Sequence, residues 1–439
     1  MATALDSEHI SALHRRAAEL GVDRFRLLPR PELIAAILER DPEAAAGIDP
    51  GGGREPDRPR PGRRSRRRRG DGRGEPEAGE EPAGEEQGEP VAGVLDITPR
   101  GHGFIRRFGL ESGEEDVYVS PSQIRRCEME RGDEVAGPAR RPRRGERYPA
   151  LIHVDTINGV APGEERPRLA VATPVHPSRR IDLSSGPEAG DGEALLLRSI
   201  DLLLPLAYGQ RVLVDSRPGS GRTTLLRALA RSLAASGAEL VVLLIDERPE
   251  EVEAWREAAP EADVAVATAE MRSGEQLRLV ELALGRASRR AEAGSDVVLL
   301  IDSISRIAVA ADDPGRAKPI FGAGRETAEE GVGSLTVIAT TLGDGGEDEG
   351  GVERSLETTE NVLIVLDPGL ASSGVYPAID FAASRIAGEE HLRGPAELEA
   401  ARRLRAEIGG LGAEAAAAEV RRLIEATSDN AAALASIRG

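Results

Sequence analysis

The stretch SRPGSGRTT, Ser216 to Thr224, lies between the apolar run RVLVD and the helix-like LLRALARSLAA. Strand, glycine-rich turn and helix in that order aim backbone N–H groups and a helix dipole at an anion. The turn nearly fits the phosphate-loop spacing G-x-x-x-x-G-K-[ST], with Arg222 where lysine usually stands. Gly219 and Gly221 supply the permissive backbone around Ser220, and Thr223, followed by Thr224, offers a hydroxyl to Mg²⁺. Arginine is longer, planar and forked, so Arg222 is not a neutral exchange for lysine. Two further stretches carry acids. VVLLIDSISR ends an apolar run on Asp302, which can hold Mg²⁺ through water. LVVLLIDERPEEV ends another on Asp246 and Glu247, and Glu247 at a strand's C-terminal end can polarise an attacking water. One such acid commonly just caps a helix. Two beside a phosphate loop argue for a nucleotide-hydrolysing cleft.

The elements that must position these residues follow from periodicity. Beyond about residue 165, apolar strands alternate with amphipathic helices, the pattern of a parallel sheet covered on both faces. Residues 92–160 instead show short strand-like runs (AGVLDI, HGFIRR, EDVYVS, DEVAG, YPALIHVDTI), which predict a small all-β barrel. Residues 7–41 read as two helices, and the Ala-rich end from Ala396 is helical. Low-complexity Pro, Gly, Arg and Glu at residues 42–92 cannot bury enough apolar surface to fold. The expected division is a helical unit at 1–45, a linker at 46–92, the barrel at 93–162 and the α/β domain at 163–439.

Net charge is −19, but it is segregated: residues 51–73 hold ten arginines against three acids. That block is ordinarily a solvated tail, with weak phosphate contact as its functional alternative. Of 57 basic residues, 56 are arginine and only Lys318 is lysine, so a chain-wide coding bias accounts for Arg222. A single cysteine, Cys127, excludes an internal disulfide. No signal-like segment or membrane-spanning apolar run is evident, so a cytoplasmic protein without a membrane partner is expected.

With these motifs in hand, GQR before the loop, LLIDERPEEV, LLIDSISR, FGAGR, GSLTVIAT and VYPAID together resemble the bacterial transcription termination factor Rho family. GVLDITPRGHGFIRR, EDVYVSPSQIRR and GERYPALIHVDTING extend the resemblance over the barrel. It implies a RecA-like P-loop ATPase domain, an OB or cold-shock-like RNA-binding barrel, and a homohexamer. ATP and Mg²⁺ are the implied cofactors. The implied partners are pyrimidine-rich single-stranded RNA and the RNA polymerase elongation complex. By position, Gln210, Arg211, Gly219 to Thr224, Arg248 and Tyr376 take nucleotide-binding places. The same resemblance implies catalytic roles for Glu247, Asp302 and Arg222, and places Thr223 and Asp302 at the metal. His102, Phe104, Arg106, Asp116, Tyr118, Glu146, Arg147 and Tyr148 fall where the family binds RNA; His102 replaces an aromatic. The family pattern also breaks. Ala387, in SRIAG, stands where an arginine finger is implied, the loop after DSISR is short, and GDGGEDEGGVE replaces a basic pore loop. Three functions remain open: an RNA-dependent ATPase that terminates transcription, a degenerate relative that binds RNA and nucleotide but hydrolyses or translocates poorly, and a regulatory subunit in mixed rings with an ordinary member of the family.

Overall fold

The computed structural model describes residue 20 and residues 30–40, 88–183, 191–343 and 349–437. The chain divides into two units, 1–87 and 88–439. In the first, helix α1 (Arg30–Arg40) falls on the predicted second helix. The predicted first helix and the linker up to residue 87 lie outside the described residues.

In the second unit, strands β1 (Glu89–Ile97), β2 (Gly103–Arg106), β3 (Val117–Val119), β4 (Glu134–Arg140), β5 (Ala150–Leu151) and β6 (Thr156–Ile157) pair in the order β1-β2-β3-β5-β4-β6, and a β1–β4 pairing closes them. β1 starts four residues ahead of the expected boundary at 93. Side chains alternate across a strand, so Ile105, Val117 and Val119 fill the interior while Phe104 and Tyr118, opposite each other, point out. Helix α2 (Pro121–Arg126) was not expected from the sequence. A capping box starts it: the Gln123 N–H donates to Ser120 Oγ, and the Ser120 N–H donates to Gln123 Oε1 at 3.0 Å. Such a cap contributes about 1 kcal/mol.

After the short β7 (Pro174–Val175) and helix α3 (Asp191–Leu203), the expected alternation appears. It runs β8 (Arg211–Ser216), α4 (Arg222–Ala235), β9 (Glu239–Ile245), α5 (Pro249–Ala258), β10 (Asp263–Ala267), α6 (Ser273–Glu292), β11 (Val297–Asp302) and α7 (Ile304–Ala311). Helix α8 (Ala317–Phe321), β12 (Glu326–Thr327, paired with β7), β13 (Leu335–Leu342), α9 (Glu349–Leu356), β14 (Val362–Val365), α10 (Pro368–Ser372) and β15 (Arg385–Ile386) follow. Helices α11 (Pro395–Gly409), α12 (Ala413–Glu425) and α13 (Asn430–Ile437) end the described chain. The sheet order is β10-β9-β11-β13-β8-β14-β15, parallel except for β15. Near-continuous Val, Leu and Ile in β9 and β11 suit strands buried on both faces, and separate apolar clusters cover each face.

Helix α6 also carries the barrel. Gly132, with φ +88°, meets Gly285 so closely that a Cβ on Gly132 would lie 2.2 Å from the Gly285 carbonyl carbon. Around this contact Arg286 pairs with Glu134 at 2.8 Å, Arg289 with Glu130 at 2.6 Å, and Arg131 with Glu281. Val94 and Leu110 add an apolar patch.

Candidate nucleotide cleft and nucleic-acid platform

The first site forms at the C-terminal edge of the sheet, where parallel strands release their loops. β8 ends at Ser216, whose hydroxyl donates to the Thr341 carbonyl at 2.7 Å and so ties the loop to β13. Gly219 (φ +78°) and Gly221 (φ +91°) take left-handed conformations that glycine adopts without strain. A Cβ at either would meet nothing within 4 Å among the described residues, so no neighbouring side chain crowds these two glycines. Ser220 is buried, its hydroxyl bound to the Arg217 carbonyl at 2.7 Å. Gly221 caps α4, and Arg222, Thr223 and Thr224 form its first turn.

Arg222 reaches the two acids singled out from the sequence. Its Nε lies 3.0 Å from Asp302 Oδ1, and an Nη lies 3.9 Å from Glu247 Oε2. Asp302 is 2% exposed. Burial pushes its carboxyl above the ordinary aspartate range against the pull of Arg222, and the Glu247 charge adds to the rise. Thr340 donates to Asp302 Oδ1 at 3.1 Å, while Oδ2 is buried with no hydrogen-bond partner among the described residues. That orphaned oxygen and the Thr223 hydroxyl at the helix start are both hard oxygen donors, the type that suits Mg²⁺.

Glu247 itself is held by residues that spacing did not reveal. Asp246, just before it, sits at φ +53°. Gln276 of α6 donates to Asp246 Oδ1 at 3.1 Å and to the Thr268 carbonyl at 2.9 Å. Arg306 donates to the Ile245 carbonyl at 2.7 Å and also to the Asp246 carbonyl. Arg248 is exposed, near Glu250. Tyr376 is half-buried, its ring against Gly192; burial, then Glu193, raises its hydroxyl pKa.

Gln210 and Arg211 do not join this cleft. They stand at the opposite end of β8, roughly 16 Å of strand from the loop at about 3.3 Å per residue. Gln210 accepts from the Ala207 N–H at 2.8 Å, and Arg211 donates to the Thr359 carbonyl at 2.6 Å. Both serve the strand's start.

The second site is the barrel's outer face. Phe104 lies edge-on to Tyr118 at 6.0 Å and to Tyr148 at 5.1 Å, and His102 is 5.6 Å from Phe104 and 5.7 Å from Tyr118. Arg147 lies over Tyr148 at 5.2 Å. These partly exposed rings offer π-faces on which bases can stack. Glu146 is exposed; a hydrogen bond from Arg140, then one from the Arg143 backbone, lowers its pKa to about 2. Arg106 and Asp116 lie beside the platform, on the same face of the strands, and are buried. Arg106 is 5% exposed and pairs with Asp96 and Asp116, its guanidinium 5.6 Å from the Phe104 ring. Burial raises the Asp116 carboxyl against that arginine.

Of the departures, Ala387 is exposed at the rim of a cavity of about 440 Å³ bounded also by Glu360 and Arg385, and Arg385 pairs with Glu360 at 2.6 Å. The segment after DSISR closes in α7, a 3-10 turn at Pro314–Arg316 and α8. Residues 344–348 of the acidic run lie outside the described residues. Among the described residues no helix is long and apolar enough to cross a membrane.

Fold and site together define a multidomain P-loop protein whose nucleotide-binding domain carries an OB-like barrel. Residues 91–163 match the family described as Rho termination factor, RNA-binding domain, and residues 197–318 match the ATP synthase alpha/beta family, nucleotide-binding domain. Transcription termination factor Rho of Bacillus subtilis is 38% identical over 325 residues, which cover 69% of this chain and 74% of that protein. The Haemophilus influenzae protein of the same name is 37% identical over 331 residues, 70% of this chain and 78% of that protein. With the Streptomyces lividans protein the figures are 36% over 375 residues, 80% and 52%. The chain belongs to the transcription termination factor Rho family.

Proposed function

We propose that this chain binds nascent single-stranded RNA on its barrel and uses RNA-dependent ATP hydrolysis to release the transcript. The supporting observation is that Arg222, in the first turn after the glycine loop, converges with Glu247 and Asp302 in the same unit as the aromatic platform. In this reading the loop N–H groups and Arg222 bind the phosphates, and Tyr376 packs on the base. Asp302 and Thr223 hold Mg²⁺, which supplies charge neutralisation at the phosphates. Glu247, fixed through Asp246 by Gln276 and Arg306, orients the attacking water. His102, Phe104, Tyr118, Tyr148 and Arg147 bind RNA bases, while the buried pair of Arg106 and Asp116 flanks and supports the rings. Assembly as a homohexamer, docking on an RNA polymerase elongation complex and a cytoplasmic location are part of the same proposal.

The test is phosphate release by the purified chain with and without polycytidylate. Glu247→Gln should lower the stimulated rate by about two to four decades, the usual weight of general base catalysis, and leave nucleotide binding intact. No release above that variant's level would sink the enzyme reading. Ala387 favours the second reading, a protein that binds RNA but turns over poorly, because losing an arginine finger costs about three to five decades. That reading expects RNA binding to survive Glu247→Gln and to weaken in Phe104→Ala and Tyr118→Ala. ATP-dependent unwinding of an RNA–DNA hybrid by the unaltered chain would refute it.

A further inference from the structure

We propose that Arg222 is a latch that keeps a divalent cation out of the cleft until a nucleotide arrives, so that metal and nucleotide are taken up together. The inference rests on the nucleotide reading above and concerns the state before nucleotide binds. Glu247 and Asp302 are two largely buried carboxylates, 11% and 2% exposed, with the Arg222 guanidinium between them. Two like charges so placed attract any cation, and a hard divalent ion suits their oxygens. The guanidinium already fills that role. It sits between the carboxylates by charge contact, with no hydrogen bond made by Nε among the described residues: Nε lies 3.0 Å from Asp302 Oδ1 and Nη2 3.9 Å from Glu247 Oε2, a span that the compact ammonium of lysine does not offer. Among the described ion pairs Arg222 is the one cation on either carboxylate, and Arg306 close by is engaged with the carbonyls of Ile245 and Asp246.

Phosphate is a strong bidentate partner for a guanidinium. A nucleotide in the glycine loop therefore draws Arg222 off both carboxylates and exposes Asp302 to the metal in the same event. The orphaned Oδ2 of Asp302 then gains a partner. A chain with lysine here keeps the charge but closes on one carboxylate at a time, so the latch is a property of the arginine.

The experiment follows Mn²⁺, a paramagnetic stand-in for Mg²⁺, by the electron paramagnetic resonance signal of the free aquo ion, using the full chain. Without nucleotide, the wild type should leave Mn²⁺ free at concentrations where Arg222→Ala takes up one ion at least tenfold more tightly. Arg222→Lys should fall between them. The added Asp302→Asn change should abolish the gained site, which separates it from general binding to an acidic surface. With ADP present, the wild type should take up the ion too. Tight nucleotide-free Mn²⁺ binding by the wild type overturns the latch, even if Arg222→Ala fails to fold. Equal affinities in wild type, Arg222→Ala and Arg222→Lys overturn it as well. Binding of a fluorescent ADP analogue in EDTA is measured separately: its absence would defeat the nucleotide reading, whereas the nucleotide-free Mn²⁺ result judges the latch.

Discussion

At the scale of single residues, the chain separates groups whose chemistry is fixed by type from groups whose role depends on surroundings. The glycine loop, Glu247 and Asp302 were legible in the sequence because a phosphate-binding turn and strand-end acids carry their own spacing. Gln276 and Arg306 were not, since Gln276 is 30 residues from the Asp246 it holds and Arg306 is 60 from the carbonyl it grips. Burial was equally invisible. Arg106 and Asp116 look like an RNA-facing pair in the sequence, and alternation in β2 does set Arg106 on the Phe104 face, yet pairing with Asp96 and Asp116 keeps it buried there. Gln210 and Arg211 adjoin the loop's strand in sequence and are carried away from the cleft by its length. Glu146 shows the opposite case, an exposed acid with a defined partner. Its carboxyl titrates near pH 2 in the folded chain against an ordinary value of 4.5. Its contribution is therefore present above about pH 4.5 and is lost as pH falls toward 2. Urea unfolding between pH 5 and pH 3 should lose stability less steeply in Glu146→Gln than in the wild type. Equal slopes would mean that Arg140 and Arg143 do not hold the carboxylate in solution.

At the scale of elements, helix α6 is the organising piece. One end holds the segment bearing Glu247, through Gln276, and its length docks the barrel through Gly285, Arg286 and Arg289. The amphipathic pattern predicted the helix, but no pattern in a single sequence announces that its outer face meets another domain. The closest point is backbone against backbone at Gly132, and glycine there also meets the left-handed φ. Gly132→Ala should destabilise the barrel's docking by about 1–3 kcal/mol, the usual cost of overpacking, beyond the strain of a β-carbon at positive φ. Gly145→Ala is the control, because φ is +94° there and a Cβ would meet nothing. Thermal melting of the two variants side by side checks this. A Gly132→Ala midpoint no lower than that of Gly145→Ala would show that the seam yields to a methyl group without cost.

At the scale of the whole molecule, the question is whether the cleft is complete within one chain. The exposed Ala387 at the rim of its cavity leaves room for a longer side chain. Ala387→Arg should raise RNA-stimulated turnover of the assembled protein at least tenfold, against a ceiling of about three to five decades. An unchanged rate, measured at concentrations where sedimentation shows the assembly intact, would show that position 387 does not reach a neighbour's nucleotide. The seam between barrel and sheet has a consequence of a different kind. It is made mainly of guanidinium–carboxylate pairs and a glycine touch, with Val94 and Leu110 as its apolar patch. Releasing it would therefore expose little hydrocarbon to water. The barrel's detachment should leave a small heat-capacity signature in calorimetry and a strong dependence on ionic strength, the reverse of what melting of the Leu- and Val-rich sheet would give.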